Sequence, residues 1–315
     1  MNKGLSFLIF FLAIAFSFGQ QDKQFTHYMF DKMSFNPAAT GFSGYCATLI
    51  YRNQWDRVER APNSTLLNVQ GNFRQQNLGL GLSLANDAIG FQRNNTVILN
   101  AAYHLRTNVG VLSGGLGVGM INVGFSPIWI PPQTLLDPNL PSPVSGTGFD
   151  VNIGLHWHGT TRPYYVGIST THLAPPTLKN INYQVARHYY VLAGYNFKLP
   201  YERKVDLTPS ILVKSDGATL IFDVNATTNF WLSTYQYLWG GFSYRLQDAI
   251  AINVGYAFSP AQNVKENMMK IGYSFDIMTN PLNTYGKGTH ELLLNFCIFT
   301  PPPVIGKHGN PFILF

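Results

Sequence analysis

The stretch that decides the fold is residues 149–158, which read FDVNIGLHWH. Apolar side chains occupy every second position from Phe149 to Trp157, and the positions between them hold Asp, Asn, Gly or His. Successive side chains of a β-strand point to opposite faces of the sheet. The alternation therefore predicts a strand that separates an apolar environment from a polar one.

The same alternation recurs along the chain. Clear examples are residues 188–199 and 250–259, and weaker ones are residues 78–84, 97–106, 220–226 and 269–277. Turn signals divide the region 42–299 into about fourteen such strands, and an even number is typical of an antiparallel barrel whose strands return to their starting side. We expect the apolar face of each strand to contact lipid and the polar face to line a lumen.

The longest apolar run lies at the N-terminus. Lys3 precedes an apolar run from Leu5 to Phe16, and Ser17-Phe18-Gly19 is a small-x-small cleavage signal before Gln20. This pattern is typical of a secretory signal peptide. The later apolar segments are interrupted too often to provide the roughly 20 residues of a transmembrane helix. The prediction is an all-β, transmembrane antiparallel barrel in the outer membrane, because a closed barrel satisfies the backbone of such strands in lipid.

Composition agrees with a membrane barrel. Charged residues make up 11% of the chain, whereas soluble domains contain roughly 25%. Aromatic residues reach 14%, which suits the aromatic girdles of a barrel at the membrane interfaces. The net charge of +6 comes from basic residues that occur singly, so the sequence argues against nucleic-acid binding.

The chain shows no linker that would divide it into two domains. We expect a signal peptide at 1–19, an N-terminal periplasmic or lead-in segment at 20–41, the barrel at 42–299 and a C-terminal extension at 300–315. With the N-terminus in the periplasm, the long connections 125–146, 174–184 and 279–288 are external. The first of these is rich in proline and is a lid, a plug or a partner-binding loop.

The candidate chemistry is sparse. His156 and His158 share one face of a strand, so they either share a metal ion or are two lumen-facing polar residues. The sequence contains no Gly-x-Ser-x-Gly elbow, no phosphate-binding loop and no Cys-x-x-Cys. We therefore predict no enzymatic activity, no catalytic or metal-binding residues and no cofactor. Asp276 and Glu291 face inward and either form an acid–base pair or pair with lumen bases such as Arg52 or Lys270.

The first and last strands are neighbours in a closed even-stranded barrel, and their sequences suggest a register. Cys46 and Arg52 share a face of the first strand, six residues apart, and Glu291 and Cys297 share a face of the last with the same spacing. One register places Cys46 opposite Cys297 and Arg52 opposite Glu291, all facing the lumen. We expect a disulfide in the oxidising periplasm, and the alternative is two unpaired thiols in a slipped register.

Six short motifs lie near the two ends of the mature chain: QFTHYMF at 24–30, NPAATG at 36–41, RNQW at 52–55, AP at 61–62, IGYSFD at 271–276 and GTHEL at 288–292. In this order they resemble the PorP/SprF family of outer-membrane proteins. The candidate partner-binding or structural residues on these motifs are Tyr28, Phe30, Asn36, Pro37, Arg52, Trp55, Tyr273, Asp276, His290 and Glu291. The chain departs from the family pattern by continuing to Phe315 after its last strand.

The resemblance implies a non-enzymatic barrel that assists type IX secretion or the cell-surface localisation of a cargo protein such as an adhesin. Its implied partners are components of the secretion or gliding-motility machinery, a secreted cargo protein and outer-membrane lipid. The alternative function is that of a porin or uptake channel, which requires an open, water-filled lumen. Tyr28, Phe30, Phe35 and Asn36-Pro37 either belong to a periplasmic or lumenal segment that docks a partner or form a packed lead-in segment with a turn at Asn-Pro.

Overall fold

The structure is a computed structural model. It describes residues 22–127, 142–160, 162–175, 177–178, 181, 183–198, 204–260 and 267–298. The predicted signal peptide, most of the proline-rich connection and the predicted C-terminal extension lie outside the described residues.

The described residues form β-strands and three short 3-10 helices. The first helix, Pro37–Ala39, precedes all the strands, and the others are Arg74–Gln76 and Pro281–Thr284. The strands are β1 (Tyr45–Asn53), β2 (Asn63–Phe73), β3 (Leu78–Ile89), β4 (Gln92–Arg106), β5 (Gly110–Phe125), β6 (Val144–Gly159), β7 (Tyr164–Thr171), β8 (Thr177–Leu178), β9 (Tyr183–Gln184), β10 (His188–Tyr195), β11 (Phe197–Lys198), β12 (Val205–Ser215), β13 (Leu220–Ser233), β14 (Gln236–Arg245), β15 (Ala249–Phe258), β16 (Met268–Met278) and β17 (Thr289–Ile298).

The wall is a closed antiparallel barrel. Strands β1 to β7 pair with one another in sequence order, and so do strands β12 to β17. The circle closes because β17 pairs with β1, and β10 pairs with both β7 and β12. Strand β11 follows β10 in the chain and extends its pairing with β12. Strands β8 and β9 form a separate two-stranded sheet. Among the described residues the wall therefore contains fourteen strand positions, which confirms the predicted fold class.

The alternation in the sequence determines which side chains face outward. Phe149 is 60% exposed and Leu155 is 51% exposed, whereas Asp150, between them on β6, is fully buried. Strands β10 and β15 repeat the pattern, with Val191 and Val254 exposed and His188 and Asn253 buried. In water this exposure would be costly, but in a bilayer the lipid covers the apolar face. None of the described helices is long and apolar enough to cross a membrane.

The two ends of the barrel differ in their connections. Strand β1 begins, and strand β17 ends, at what we call the terminal end. The connections 54–62, 172–187 and 279–288 lie at the opposite end, as does the boundary of the proline-rich connection. A tight turn at Ser215–Leu220 also lies at that end, where the Asp216 carboxylate accepts hydrogen bonds from the main chain of Ala218 and Thr219.

Candidate functional site in the barrel lumen

Residues 22–44, here called the plug, occupy the lumen instead of lying beside the barrel. Phe25, Tyr28 and Asn36 are each at most 1% exposed. Their neighbours are inward-facing side chains of the wall, and apolar plug residues share one buried cluster with Leu192 and Trp239. The plug begins near the end opposite the termini, where Asp22 contacts His188, and it leads to β1 at the terminal end.

One group of charged residues fastens the plug to the strands around the β1–β17 pairing. Arg52 Nη1 donates to Glu291 Oε2 at 2.9 Å, and Arg52 Nη2 donates to Asp276 Oδ2 at 2.6 Å. All three side chains are almost completely buried. The structure therefore pairs both predicted lumen carboxylates with Arg52. Lys270, the other predicted partner, lies with its Nζ atom 5.2 Å from the centre of the Phe30 ring.

A second arginine extends this group. Arg245 donates to Asp223 Oδ2 at 3.0 Å and to Asp248 Oδ2 at 2.9 Å, and its Nη1 atom lies 3.6 Å from Asp276 Oδ2. We call Arg52, Arg245, Asp223, Asp276 and Glu291 the charged cluster. Buried charges of this kind require partners, since an isolated one would carry a large desolvation penalty. Sequence reasoning missed Asp223 and Arg245, although both lie on the inward faces of alternating strands.

Glu291 holds the main chain of the plug. Its Oε2 atom accepts a hydrogen bond from the Thr26 main-chain N–H at 2.8 Å, and its Oε1 atom accepts one from the His27 N–H at 2.8 Å. His27 Nδ1 lies 2.6 Å from the same Oε1 atom. The Thr26 hydroxyl bonds with Arg52 Nη1 at 2.8 Å and with Asp276 at 3.0 Å. Hydrogen bonds to an ionised group are the stronger kind, so this contact fixes the plug at residues 26–27.

The plug contacts strands β5 and β6 through neutral groups. Asn36 Oδ1 accepts from the Ala38 N–H at 2.9 Å and thereby caps the helix Pro37–Ala39. The Asn36 Nδ2 atom donates to the Leu155 carbonyl oxygen at 2.8 Å. The predicted Asn-Pro turn is therefore also a contact with the wall.

Glycines in the wall make room for this part of the plug. A Cβ atom added at Gly115 would lie less than 3.0 Å from the backbone of Ala38, and one at Gly154 would lie equally close to the Asn36 side chain. Such distances are not observed for real Cβ atoms. Glycine at these inward positions is the sequence feature that could have indicated a close approach of another segment to the wall.

Aromatic plug residues complete the packing. The Tyr28 hydroxyl lies 3.1 Å from Ser210 Oγ, and burial raises the pKa of Tyr28 above its usual value. The Phe30 ring centre lies 4.7 Å from that of Trp239. These contacts give Tyr28, Phe30, Asn36 and Pro37 a structural setting inside the barrel, which agrees with the lead-in interpretation.

The other motif residues lie away from the lumen. The Tyr273 hydroxyl lies 2.7 Å from His290 Nδ1, on the outer surface of the β16–β17 pair. Trp55 follows β1 with a positive φ of 51°, and its main-chain N–H donates to Thr289 Oγ1 at 3.3 Å. The structure thus divides the predicted residues between a lumen group and a group at the surface.

The β1–β17 pairing, which we call the seam, has the register expected from the sequence. Cys46 lies opposite Cys297, and Arg52 lies opposite Glu291. The two cysteines form a disulfide with their Cα atoms 4.1 Å apart, and both are buried. The seam is therefore linked covalently toward the terminal end and by the charged cluster toward the opposite end.

The histidines that the sequence singled out have an aromatic environment. The ring centres of His156 and His158 lie 5.2 Å and 4.9 Å from that of Phe42 in the plug. Among the described residues, the group with metal-binding spacing is instead Asp22, His172 and His188. Sequence reasoning missed this group because its members come from three separate segments.

The chain has relatives by sequence pattern and by fold. The family model described as "Type IX secretion system membrane protein PorP/SprF" matches residues 17–296. No curated protein sequence matches the chain.

Several solved structures are similar to the barrel at low sequence identity. The Ralstonia pickettii toluene transporter TbuX is 13% identical, with a TM-score of 0.52, and the match covers 84% of this chain and 92% of that one. The CymD monoaromatic hydrocarbon channel is 10% identical, with a TM-score of 0.51 and coverages of 85% and 91%. These similarities concern the fold alone.

Proposed function

The chain belongs to the PorP/SprF family of type IX secretion system membrane proteins, and from this premise we propose that it assists the secretion or cell-surface localisation of a cargo protein such as an adhesin. It is a non-enzymatic outer-membrane β-barrel associated with the type IX secretion system. Its specific partners are the subject of the proposal: components of the secretion or gliding machinery, and one secreted cargo.

The observation that carries the proposal is the occupied lumen. A porin needs a water-filled passage, whereas a protein that binds partners can function with a filled one. Residues 22–44 are held by the charged cluster on one side and by Asn36 on the other. This arrangement favours a barrel that acts through its exposed ends.

The surface that best suits a protein partner lies at the end opposite the termini. The connections 54–62 and 279–288 are joined there by two main-chain hydrogen bonds, from Asp56 N–H to Gly288 O at 2.8 Å and from Lys287 N–H to Asp56 O at 2.9 Å. Tyr285 lies in the connection 279–288, and 77% of its surface is exposed. Tyrosine is enriched among the residues that contribute most to binding at protein interfaces.

Cross-linked co-purification from outer membranes tests the proposal. A tagged wild-type chain is expected to recover secretion or motility components together with one large surface protein. Substitution Tyr285→Ser should lower that recovery several-fold, and Asn283→Ser, in the same connection, is the matched control. Both variants should retain the heat-dependent gel migration of a folded barrel. Equal recovery from all three chains would reject the surface, and recovery of no such partner by the wild type would reject the function.

The second candidate is an uptake channel, because solved structures with this barrel architecture include transport proteins. TbuX is described as a toluene transporter and CymD as a monoaromatic hydrocarbon channel, and their barrels share the architecture of this one. Planar-bilayer recordings separate the two functions. The secretion role predicts little steady conductance from the wild type. A large steady conductance, together with failure to recover any secretion component, would establish the channel instead.

A further inference from the structure

Three side chains from separate parts of the chain meet at the end of the barrel opposite the termini. Asp22 lies at the start of the described plug, His172 follows β7, and His188 is the first residue of β10. Each offers one ligand atom, and these atoms all lie within 4.8 Å of one another. Asp22 Oδ2 lies 3.8 Å from His172 Nε2, and the Asp22 main-chain N–H donates to His188 Nε2 at 3.0 Å.

Both imidazoles are oriented through their other ring nitrogen. His172 Nδ1 lies 2.9 Å from Asp150 Oδ2, and His188 Nδ1 lies 3.1 Å from the carbonyl oxygen of Ala186. Each ring therefore directs its Nε2 atom toward Asp22. Metal-binding histidines almost always have such an outer partner, a carboxylate or a backbone carbonyl, because it fixes the ring and the tautomer.

The surroundings allow an ion to enter and to complete its coordination. His172 and His188 are 6% and 3% exposed, whereas the Asp22 side chain retains 22% exposure. A cavity of about 50 Å³, lined in part by Asp22, Asp150 and His172, adjoins two of the three residues. That volume is large enough for a water molecule, and water is the usual fourth ligand where a protein supplies three.

The donor atoms select the class of metal. Two imidazole nitrogens and one carboxylate oxygen suit zinc and similar transition-metal ions, whereas calcium and magnesium prefer oxygen ligands throughout. The ligand atoms lie within 4.8 Å of one another. Tetrahedral zinc places its ligand atoms roughly 3.4 Å apart, so each separation needs to shorten by about 1.4 Å at most. The three side chains can make this movement because Asp22 belongs to the plug and both histidines lie next to a connection.

Neighbouring cations bind Asp22 without occupying the space between it and the histidines. Lys214 Nζ donates to the main-chain oxygen of Asp22 at 2.7 Å, and Lys23 Nζ lies 3.7 Å from Asp22 Oδ1. The Oδ2 atom, which faces His172, accepts a hydrogen bond from the Tyr190 hydroxyl at 3.0 Å. A metal ion would exchange this bond and the Asp22–His188 bond for coordination.

We propose that Asp22, His172 and His188 bind one divalent transition-metal ion of the zinc class, with Asp150 as the positioning residue for His172. The ion fastens the start of the plug to strands β7 and β10. It thereby provides a third attachment of the plug, in addition to the charged cluster and the contacts of Asn36.

The experiment uses the full mature chain, purified in detergent and stripped with a chelator. Titration with Zn²⁺ should give one equivalent bound, and Co²⁺ should give the intense visible absorption of a tetrahedral site. Substitutions Asp22→Asn, His172→Asn and His188→Asn should each weaken binding at least tenfold. Asp150→Asn, which removes only the positioning carboxylate, should weaken it by about 10–100-fold. His290→Asn, a histidine outside the group, is the matched control and should bind like the wild type.

Two further measurements keep the result interpretable. Heat-dependent gel migration shows that each variant is a folded barrel. Trypsin cleavage after Lys23 should slow when Zn²⁺ is added to the wild type and remain unchanged by Zn²⁺ in the His172→Asn variant. The absence of stoichiometric binding would overturn the proposal. So would binding that survives the three substitutions but is lost in His156→Asn/His158→Asn, because it would place the ion beside Phe42.

Discussion

The wall holds the plug in two different ways on its two sides. Around the seam, Arg52 and Glu291 act through buried charges, and the carboxylate oxygens of Glu291 reach the plug backbone directly. On the side of β5 and β6, Gly115 and Gly154 act by leaving space, and the Asn36 amide makes neutral hydrogen bonds. The first kind of contact fails abruptly when one partner is lost. The second is graded, because its strength follows how closely the surfaces fit.

The largest effect is expected from breaking the charged side. Substitution Arg52→Ala leaves Asp276 and Glu291 buried without their main partner, and breaking a buried pair costs about 3–5 kcal/mol. Urea unfolding in lipid vesicles should show a loss of this size in the free energy of unfolding. The control is Arg93→Ala, an exposed arginine whose hydrogen bonds within the described part of the chain go to nearby backbone carbonyls, with an expected change within about 0.5 kcal/mol. Equal losses in the two variants would mean that the charged cluster does not stabilise the barrel.

Removal of the seam disulfide should cause the second-largest loss in the free energy of unfolding. Cys46→Ser/Cys297→Ser removes a link between positions 251 residues apart, and loss of a disulfide typically costs about 2–4 kcal/mol. The unfolding midpoint of the wild type should fall on reduction, and the double variant should not respond to reductant. Alkylation of two free thiols in the native, unreduced protein would contradict the disulfide.

The space-filling side should respond more weakly. Gly115→Ala places a methyl group against the Ala38 backbone, and overpacking of this kind costs about 1–3 kcal/mol. Gly114→Ala is the matched control, because its Cβ points outward and meets only Leu155 Cδ2 at 3.8 Å. The free energy of unfolding and the rate of tryptic cleavage after Lys32 measure the effect. If both alanine variants behave alike, the plug does not pack against β5 as described.

The last test concerns Lys32, which lies on the plug and not on a membrane-spanning strand, and its effect is a change of stability with pH. Its Nζ atom lies 3.4 Å from the centre of the Tyr165 ring. Burial lowers the pKa of Lys32 to about 7, and repulsion from Lys270 acts in the same direction. Between pH 7 and 10.5 the unfolded chain therefore binds more protons at this group than the folded one, so its contribution to stability increases as the pH rises.

Comparison of two variants isolates that contribution. Lys32→Met should flatten the rise in stability between pH 7 and 10 relative to the wild type, and it should stabilise the barrel at pH 7 or below. Lys287→Met, at an exposed position in a connection, should retain the wild-type slope. Unfolding midpoints measured at intervals across this pH range provide the test. A wild-type slope in Lys32→Met would show that the lysine is solvated in the folded state.

The wall could be predicted from local pattern. The alternation in residues 149–158 has the period of a strand, and lipid on one side and polar groups on the other make each strand's facing unambiguous. The seam register followed from two pairs with equal spacing, Cys46 with Arg52 and Glu291 with Cys297. A shift of one residue would have turned every side chain to the other face, so few registers needed to be considered.

The contents of the lumen could not be predicted in the same way. The segment 22–44 has no period that indicates its surroundings, and sequence reasoning left residues 20–41 as a periplasmic, lumenal or packed lead-in segment. Its contacts join residues far apart in the chain, such as Thr26 with Glu291, which are 265 positions apart. Asp22 and His188, which meet at the start of the plug, are 166 positions apart. The pairing of Arg245 with Asp223 joins the neighbouring strands β13 and β14 and depends on their register.

The sequence by itself determined the class of fold, the inner and outer faces of the strands and the family to which the chain is similar. These depend on the period of the side chains along each strand and on short motifs, which are local properties. Only the tertiary structure decided that the lumen is occupied, which charges pair, and where Asp22, His172 and His188 meet. Those contacts exist only after the barrel closes, because closure pairs the first strand with the last and surrounds the plug with inward-facing residues.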